Sequence, residues 1–426
     1  MPRSTTKIAL ALASAVLTVA ILGVTVVQAS VQGTALQTNL NRPRGIVPLT
    51  DGEILLSEAG SGRVWRVLPD GTRTPLVAGL PVNQVTPKGP IESIGVVAAA
   101  PDPNGGYKAL IGGANGQGGA LWSASPGGTV NLLVDLADYE QQNNTDGFKD
   151  ANGNDEVVSN PYDLVVDSIG NTYITDAGAN AVLRYSTNGN TDPYYIFSNI
   201  PNPLYPGQGL ATIHQAPTGI TIGPDGAIYV ATMTVSPYPQ GEARVYRLVD
   251  KNMDGDARDA DEATVYATGL TAATDVAFDA KGVLHVSQYS TNMLTGEEGR
   301  ISKIVNGLPQ TVALLLTSPT AITFTDEGHL IVTEESIGRV ADLTGVSAGG
   351  FGSPITSGVT LTTYVGGSVD QLTIEAKEAG ATAVAVTSAG KFVVLVPGAP
   401  SFVNQSFKAK FPSGVPGGTV LLVVRP

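Results

Sequence analysis

The sequence predicts an all-β fold: a six-bladed β-propeller closed by its own N-terminal strand and followed by a small α+β C-terminal module. Three observations carry that expectation. A unit of short apolar runs divided by Gly-, Asn- and Asp-rich breaks, clearest in NPYDLVVDSIGNTYITDAGANAVLRYS (residues 160–186), returns along the chain. Glycine stands at a constant distance from the start of most copies. The composition suits strands and turns, with 51 Gly, 28 Pro and only 14% charged residues, while 42% hydrophobic content is too high for a disordered chain.

Residues 1–29 read as a signal peptide. Arg3 and Lys7 precede an apolar run from Ile8 to Val27, and Val27-Gln28-Ala29 has small residues where signal peptidase reads, so cleavage is expected after Ala29. An uncleaved anchor is the alternative, because a run of about 20 residues spans a bilayer. Either reading puts the rest of the chain outside the cytoplasm, in the periplasm or the medium. No membrane span is expected after cleavage. With no cysteine in the 426 residues, disulfides, thiolate metal sites and cysteine nucleophiles are excluded. A net charge of −13 argues against a nucleic-acid partner and favours hard cations at loop carboxylates.

Residues 30–344 hold the repeats. Comparable openings stand at Gly45 (GIVP), Ser93 (SIGV), Asp163 (DLVV), Gly219 (GITI), Asp275 (DVAF) and Ala321 (AITF), about 46 to 70 residues apart. Seven residues after five of them comes a turn glycine: Gly52, Gly170, Gly226, Gly282 or Gly328. Such turns need φ > 0, which glycine adopts at no steric cost. The Ser93 copy departs, with a longer PDPNGG turn. A second run (EILLSE, NTYITD, AIYVAT, VLHVSQ, HLIVTE), a third (RVWRV, AVLRY, RVYRL, RISKI, RVADL) and a looser fourth follow. Four antiparallel strands repeated six times bury their faces by radial packing. The sixth copy lacks its own fourth strand, and TALQTNL (Thr34–Leu40) resembles TPLVAGL (Thr74–Leu80). The N-terminal strand is therefore expected to complete the last blade.

Thirteen residues after the matching openings stand Glu58, Asp176, Thr232, Gln288 and Glu334. With Asp163 and Asp275, these are expected on one face around the channel. Two readings stay open there. One is a second divalent ion at the channel mouth, able to polarise a carbonyl. The other is capping of turns and strand ends through backbone N–H groups. The longest insertion, residues 135–164, falls on the same face as an ordered loop. Within it Asp150, Asn152, Asn154 and Asp155 have a partial calcium-loop rhythm.

The sharpest motif is DKNMDGDARDAD, Asp250 to Asp261, which fits D-x-N-x-D-G with an acid at position twelve. Asp250, Asn252 and Asp254 present side-chain oxygens, Gly255 bends the loop, Asp256 offers its carbonyl and Asp261 closes the shell around a structural calcium. The loop belongs to the face opposite the rim. Of the three histidines, His285 lies in a strand and His329 after a turn. His214, in the loop IHQAP, is the candidate general base.

The ordered blocks DLADYEQQNN, SNPYDL, TDAGANAVLRY, PTGITIGPDGAIYVAT and SPYPQGEARVYRL resemble the ScyD/ScyE family, secreted bacterial propellers related to NHL-repeat proteins. The resemblance covers roughly Thr34 to Leu343 and implies an exported six-bladed propeller, with no catalytic residues to carry over. The 250–261 loop and the tail depart from the family's pattern. In the tail, residues 345–426, VTLTTYV, ATAVAVT, KFVVLVP and GTVLLVV read as strands, whereas VDQLTIEAKEAG and FVNQSFKAKF read as helices. KFVVLVPGAPSFVNQSF is similar to C-terminal modules of some secreted Chloroflexota-type proteins.

Two functional classes follow. One is an exported module with a calcium-stabilised loop, binding a small molecule or an envelope or extracellular protein through the rim face. The other is a metal-dependent propeller lyase or lactonase using the channel-mouth carboxylates. A quinone-dependent sugar dehydrogenase is disfavoured, since no histidine opens a strand beside a cationic cluster.

Overall fold

The computed structural model describes residues 33–85, 92–114, 117–125, 128–149, 155 and 157–344, together with strand segments of the tail. The expected signal peptide and its alternative anchor lie outside the described residues, as do Asp150, Asn152 and Asn154. No helix among the described residues is long and apolar enough to cross a membrane. Two compact units divide the chain, Ser30–Phe351 and a second one that holds Gly352–Pro426.

The first unit is a six-bladed β-propeller. Each blade is a four-stranded antiparallel sheet. The inner strands are Pro43–Pro48, Val96–Pro101, Pro161–Val166, Pro217–Ile222, Ala273–Phe278 and Pro319–Phe324. They neighbour one another in ring order, and the last packs against the first. Five blades are contiguous in sequence. The sixth takes its outer strand from Thr34–Gln37, which runs antiparallel to Arg339–Asp342 with Ala35 opposite Ala341 and Gln37 opposite Val340.

The alternation within each second strand explains why this sheet cannot stand alone. Successive residues point to opposite faces. Leu55 therefore enters a core with Val64, Val96 and Ile111 between blades one and two. Leu56 enters another with Ile46, Ile331 and Val340 between blades six and one. Every pair of adjacent blades shares such a cluster. Six interlocking cores thus replace one central core, and closure of the ring removes the free faces.

The turn glycines behave as expected. Gly52, Gly170, Gly226, Gly282 and Gly328 all have positive φ. Two other glycines make room where inner strands meet. A Cβ on Gly45 would lie 2.7 Å from the Val97 carbonyl oxygen, and one on Gly219 would lie 2.3 Å from the Asp275 Cα.

Three expectations need correction. The second blade's inner strand starts at Val96, so Ala98 packs beside Gly45. Ser93 belongs instead to a two-stranded ribbon, Asn83–Val85 with Glu92–Ile94. Leu136–Asn143, read as loop, is a helix. Asp135 caps it by accepting the Asp138 N–H at 2.9 Å, and Leu136 and Glu140, one turn apart, are buried. In the second unit, the expected helices are strands, Gln371–Ala376 and Gln405–Lys410, paired with each other in a three-stranded sheet beside a four-stranded one. Leu372-Thr373-Ile374 and Phe407-Lys408-Ala409 alternate with period two, and pairing rewards that period over the helical one.

Candidate functional site

Asp163 and Asp275 lie in the channel wall, two blades apart, with Gly219 between them in the ring. Each carboxylate bridges blades. Asp163 accepts the N–H of its own neighbour Leu164 at 2.8 Å and that of Ile220 in the next blade at 3.1 Å. Asp275 accepts from Val276 and, across the joint, from Ile322, both at 2.7 Å. Burial raises the pKa of both acids, and the Asp163 charge raises that of Asp275 further. Adjacent threonines continue the stitching: the Thr218, Thr274 and Thr320 hydroxyls donate to the Ala273, Pro319 and Pro43 carbonyls of the following blades.

Arg44 and Tyr162 occupy the positions just before the anchors of blades one and three. The Arg44 guanidinium carbon lies 4.6 Å from the Tyr162 ring centroid, a cation–π arrangement. Its Nε is 3.8 Å from Glu335, which also pairs with Arg42 at 2.8 Å. Burial works against the Arg44 charge, but Glu335 and Tyr162 outweigh it, so its pKa is held above the ordinary value. The cavity that Arg44, Tyr162, Asp163 and Asp275 line measures about 10 Å³, room for one water at most.

The second-strand ends do not join this group. Glu58 accepts from the Asn41 N–H at 2.7 Å, from Trp65 Nε1 at 3.1 Å and from the Ser61 hydroxyl. Asp176 accepts from the Asn160 N–H at 2.7 Å, the Ser159 hydroxyl at 2.6 Å and the Gly178 and Ala179 N–H groups. Gln288 takes the Thr271 N–H at 2.9 Å and Arg300 at 3.0 Å. Glu334 takes the Thr317 N–H at 2.7 Å and sits 2.8 Å from Arg339 Nε. These four pin the chain entering their blades to the end of the second strand, whereas in blade four Thr232 accepts the N–H of Arg244 in the third strand at 3.1 Å. The hydrogen bonds of this set are those of caps to backbone N–H groups, and among the described residues, the 250–261 loop included, no group of three or more His, Asp or Glu side chains gathers to hold a metal.

On the rim face, the loop after the short helix reaches His214. His214 Nδ1 is 3.6 Å from Asp146 Oδ2, and the Phe148 ring stands edge-on to the imidazole, with centroids 4.3 Å apart. Nε2 is buried without a hydrogen-bond partner. Asp146 and Phe148 escape a sequence reading because only the fold of the insertion brings them to a histidine nearly seventy residues on. His285, by contrast, stands edge-on to Phe324, with ring centroids 4.8 Å apart, and His329 pairs with Asp342 at 2.7 Å.

The 250–261 loop connects the third and fourth strands of blade four, on the opposite face. Asp250 Oδ2 accepts the Gly255 N–H at 2.8 Å, Asn252 the Asp254 N–H at 3.0 Å and Asp254 the Asp256 N–H at 3.2 Å. These are the nested turns of a wrapped oxygen-donor loop. Asp250 Oδ1 is buried with no partner, an oxygen left over that suits a hard cation. Asp256 is engaged by Arg258. The exposed Asp261, expected to close the shell, offers its carbonyl to Lys251 at 2.5 Å. The buried Glu262, one residue on, crosses the loop instead and accepts the backbone N–H of Lys251 at 2.8 Å and of Asp259 at 3.1 Å. The Ala257 N–H donates to the Tyr194 carbonyl of blade three at 2.8 Å, so the loop also braces a blade joint.

No family model matches the chain, and no curated protein matches it. Solved structures similar to it include the calcium-binding protein regucalcin from Agrobacterium tumefaciens strain C58, at 15% identity and TM-score 0.46 over 73% of this chain and 93% of that one. A gluconolactonase from Xanthomonas campestris is similar at 14% identity and TM-score 0.46, over 72% and 86%. Virginiamycin B lyase from Staphylococcus aureus is similar at 15% identity and TM-score 0.41, over 73% and 97%. Residue roles are not carried across at such distances.

Proposed function

We propose that this chain is an exported, ScyD/ScyE-like β-propeller that binds a small molecule or an envelope or extracellular protein through its rim face. The observation that carries this reading is the state of the channel. Its two acids are committed to backbone N–H groups of the next blades, and the space between them holds no more than one water. No free acid or base there meets a substrate. The rim face instead carries the long connections, including the helix Leu136–Asn143 and the segments around His214. Long ordered loops on a rigid ring are where binding surfaces are built. In this account calcium draws together the side-chain oxygens of Asp250, Asn252, Asp254 and Glu262, which are not gathered into a metal site in this structure, and stiffens the joint between blades three and four.

The His214–Asp146 pair supports a second reading, a lyase or lactonase. An imidazole with a carboxylate 3.6 Å from Nδ1 and no protein partner at Nε2 is a candidate general base. The two readings separate cleanly in a screen of lactones and β-elimination substrates with and without added calcium. The binding reading expects no turnover above background. Turnover that disappears in His214→Ala, at unchanged melting temperature, would replace it with the enzyme.

A further inference from the structure

We propose that a groove at the first and second blades, on the face opposite the rim, is a carbohydrate site for a neutral sugar or the end of a sugar chain. It goes beyond the rim-face reading and does not depend on it. The groove is formed where the first turns of blades six, one and two come together, and it encloses about 490 Å³, within the size range of small-molecule sites. Leu49, Leu76, Pro48 and Pro101 supply apolar walls. Arg66, Glu53, Tyr107 and Asp326 supply the polar groups.

The chemistry of those groups selects the ligand class. Arg66 and Glu53 form a two-pronged pair, Nε to Oε2 at 2.5 Å and Nη2 to Oε1 at 2.6 Å. Their charges cancel. Asp326 leaves the lining with one net negative charge, which disfavours an anion. What remains is directional: guanidinium N–H groups beyond the two already used, and carboxylate lone pairs beside them. Adjacent donors and acceptors on one rigid fork match neighbouring hydroxyls, which both donate and accept. The half-buried Tyr107 ring and the leucine and proline walls offer flat apolar surface to the C–H face of a pyranose. Strands position the pair, since Arg66 lies in the third strand of blade one directly opposite Leu55, two residues beyond Glu53.

The test is calorimetric titration of the purified chain with cellobiose, maltotriose and N,N′-diacetylchitobiose, in the wild type and in Arg66→Ala, Tyr107→Ala and His214→Ala. Saturable binding of at least one sugar is expected. Arg66→Ala and Tyr107→Ala should each weaken it tenfold or more, and His214→Ala should leave it unchanged. Retained thermal unfolding of the variants shows that the ring is intact, and Glu53→Gln, which keeps the side chain's shape while removing the charge that fixes Arg66, should also weaken binding. No saturable binding of any of the three sugars overturns the proposal, as does binding that the groove variants leave intact. Binding abolished by His214→Ala alone would also overturn it, by placing the sugar on the rim face.

Discussion

At Asp163 and Asp275 the fold buries two acids in the channel wall. Burial raises both pKa values, so each binds its proton more tightly folded than unfolded. Such a group stabilises the fold below the ordinary carboxylate range, and that contribution is lost as pH rises through the folded value. Relative to Asp275→Asn, the wild type should lose melting temperature as pH rises from acid to neutral, and parallel profiles for the two proteins would contradict this. Glu334 is a test by charge removal. It is fully buried with the partly exposed Arg339 Nε at 2.8 Å and also accepts the Thr317 N–H, so Glu334→Gln should cost about 1–3 kcal/mol by chemical denaturation. Asp163 and Asp275 were legible as repeat openings, and Glu334 from the thirteen-residue spacing. Their destination was not, because spacing along a strand says nothing about whether a carboxylate meets a neighbour's carboxylate or its own incoming backbone.

Among the elements, turns and strands were the most legible. A glycine seven residues into a strand–turn–strand unit announces φ > 0, and all five such glycines have it. The missed elements have physical reasons. LADYEQQN has little apolar periodicity, and its helix rests on the Asp135 cap and two buried side chains. Blade two hides its start because Ser93-Ile94-Gly95-Val96 mimics an opening, while the strand that packs against Gly45 begins at Val96. In the calcium-type loop the motif ends at Asp261, and only the backbone turn there, with φ 68, shows that Glu262 faces inward. Millimolar calcium should therefore raise the melting temperature of the wild type, by an amount equivalent to about 2.7 kcal/mol at a hundredfold excess over Kd. Asp254→Asn and Glu262→Gln should both reduce that gain, whereas Asp261→Asn should not. Gly219→Ala tests the strand joint: its Cβ would lie 2.3 Å from the Asp275 Cα, and overpacking of that kind costs about 1–3 kcal/mol.

For the whole molecule, stability comes from six cores that each need two blades. The first and last blades, far apart in sequence, share Leu40, Ile46, Leu56, Ile331 and Val340. The ring is thus only as closed as the pairing of Thr34–Gln37 with Arg339–Asp342. The binding reading follows from the same closure, because a tightly joined ring fills its channel and leaves the faces to do the recognising. The chain has no cysteine, so the pairing can be read with one engineered bond. Ala35→Cys/Ala341→Cys places thiols on directly opposed residues of adjacent antiparallel strands. Under mild oxidation the closed ring predicts a monomeric, reducible product with a raised melting temperature. Free thiols or intermolecular dimers, with no gain in stability, would contradict it.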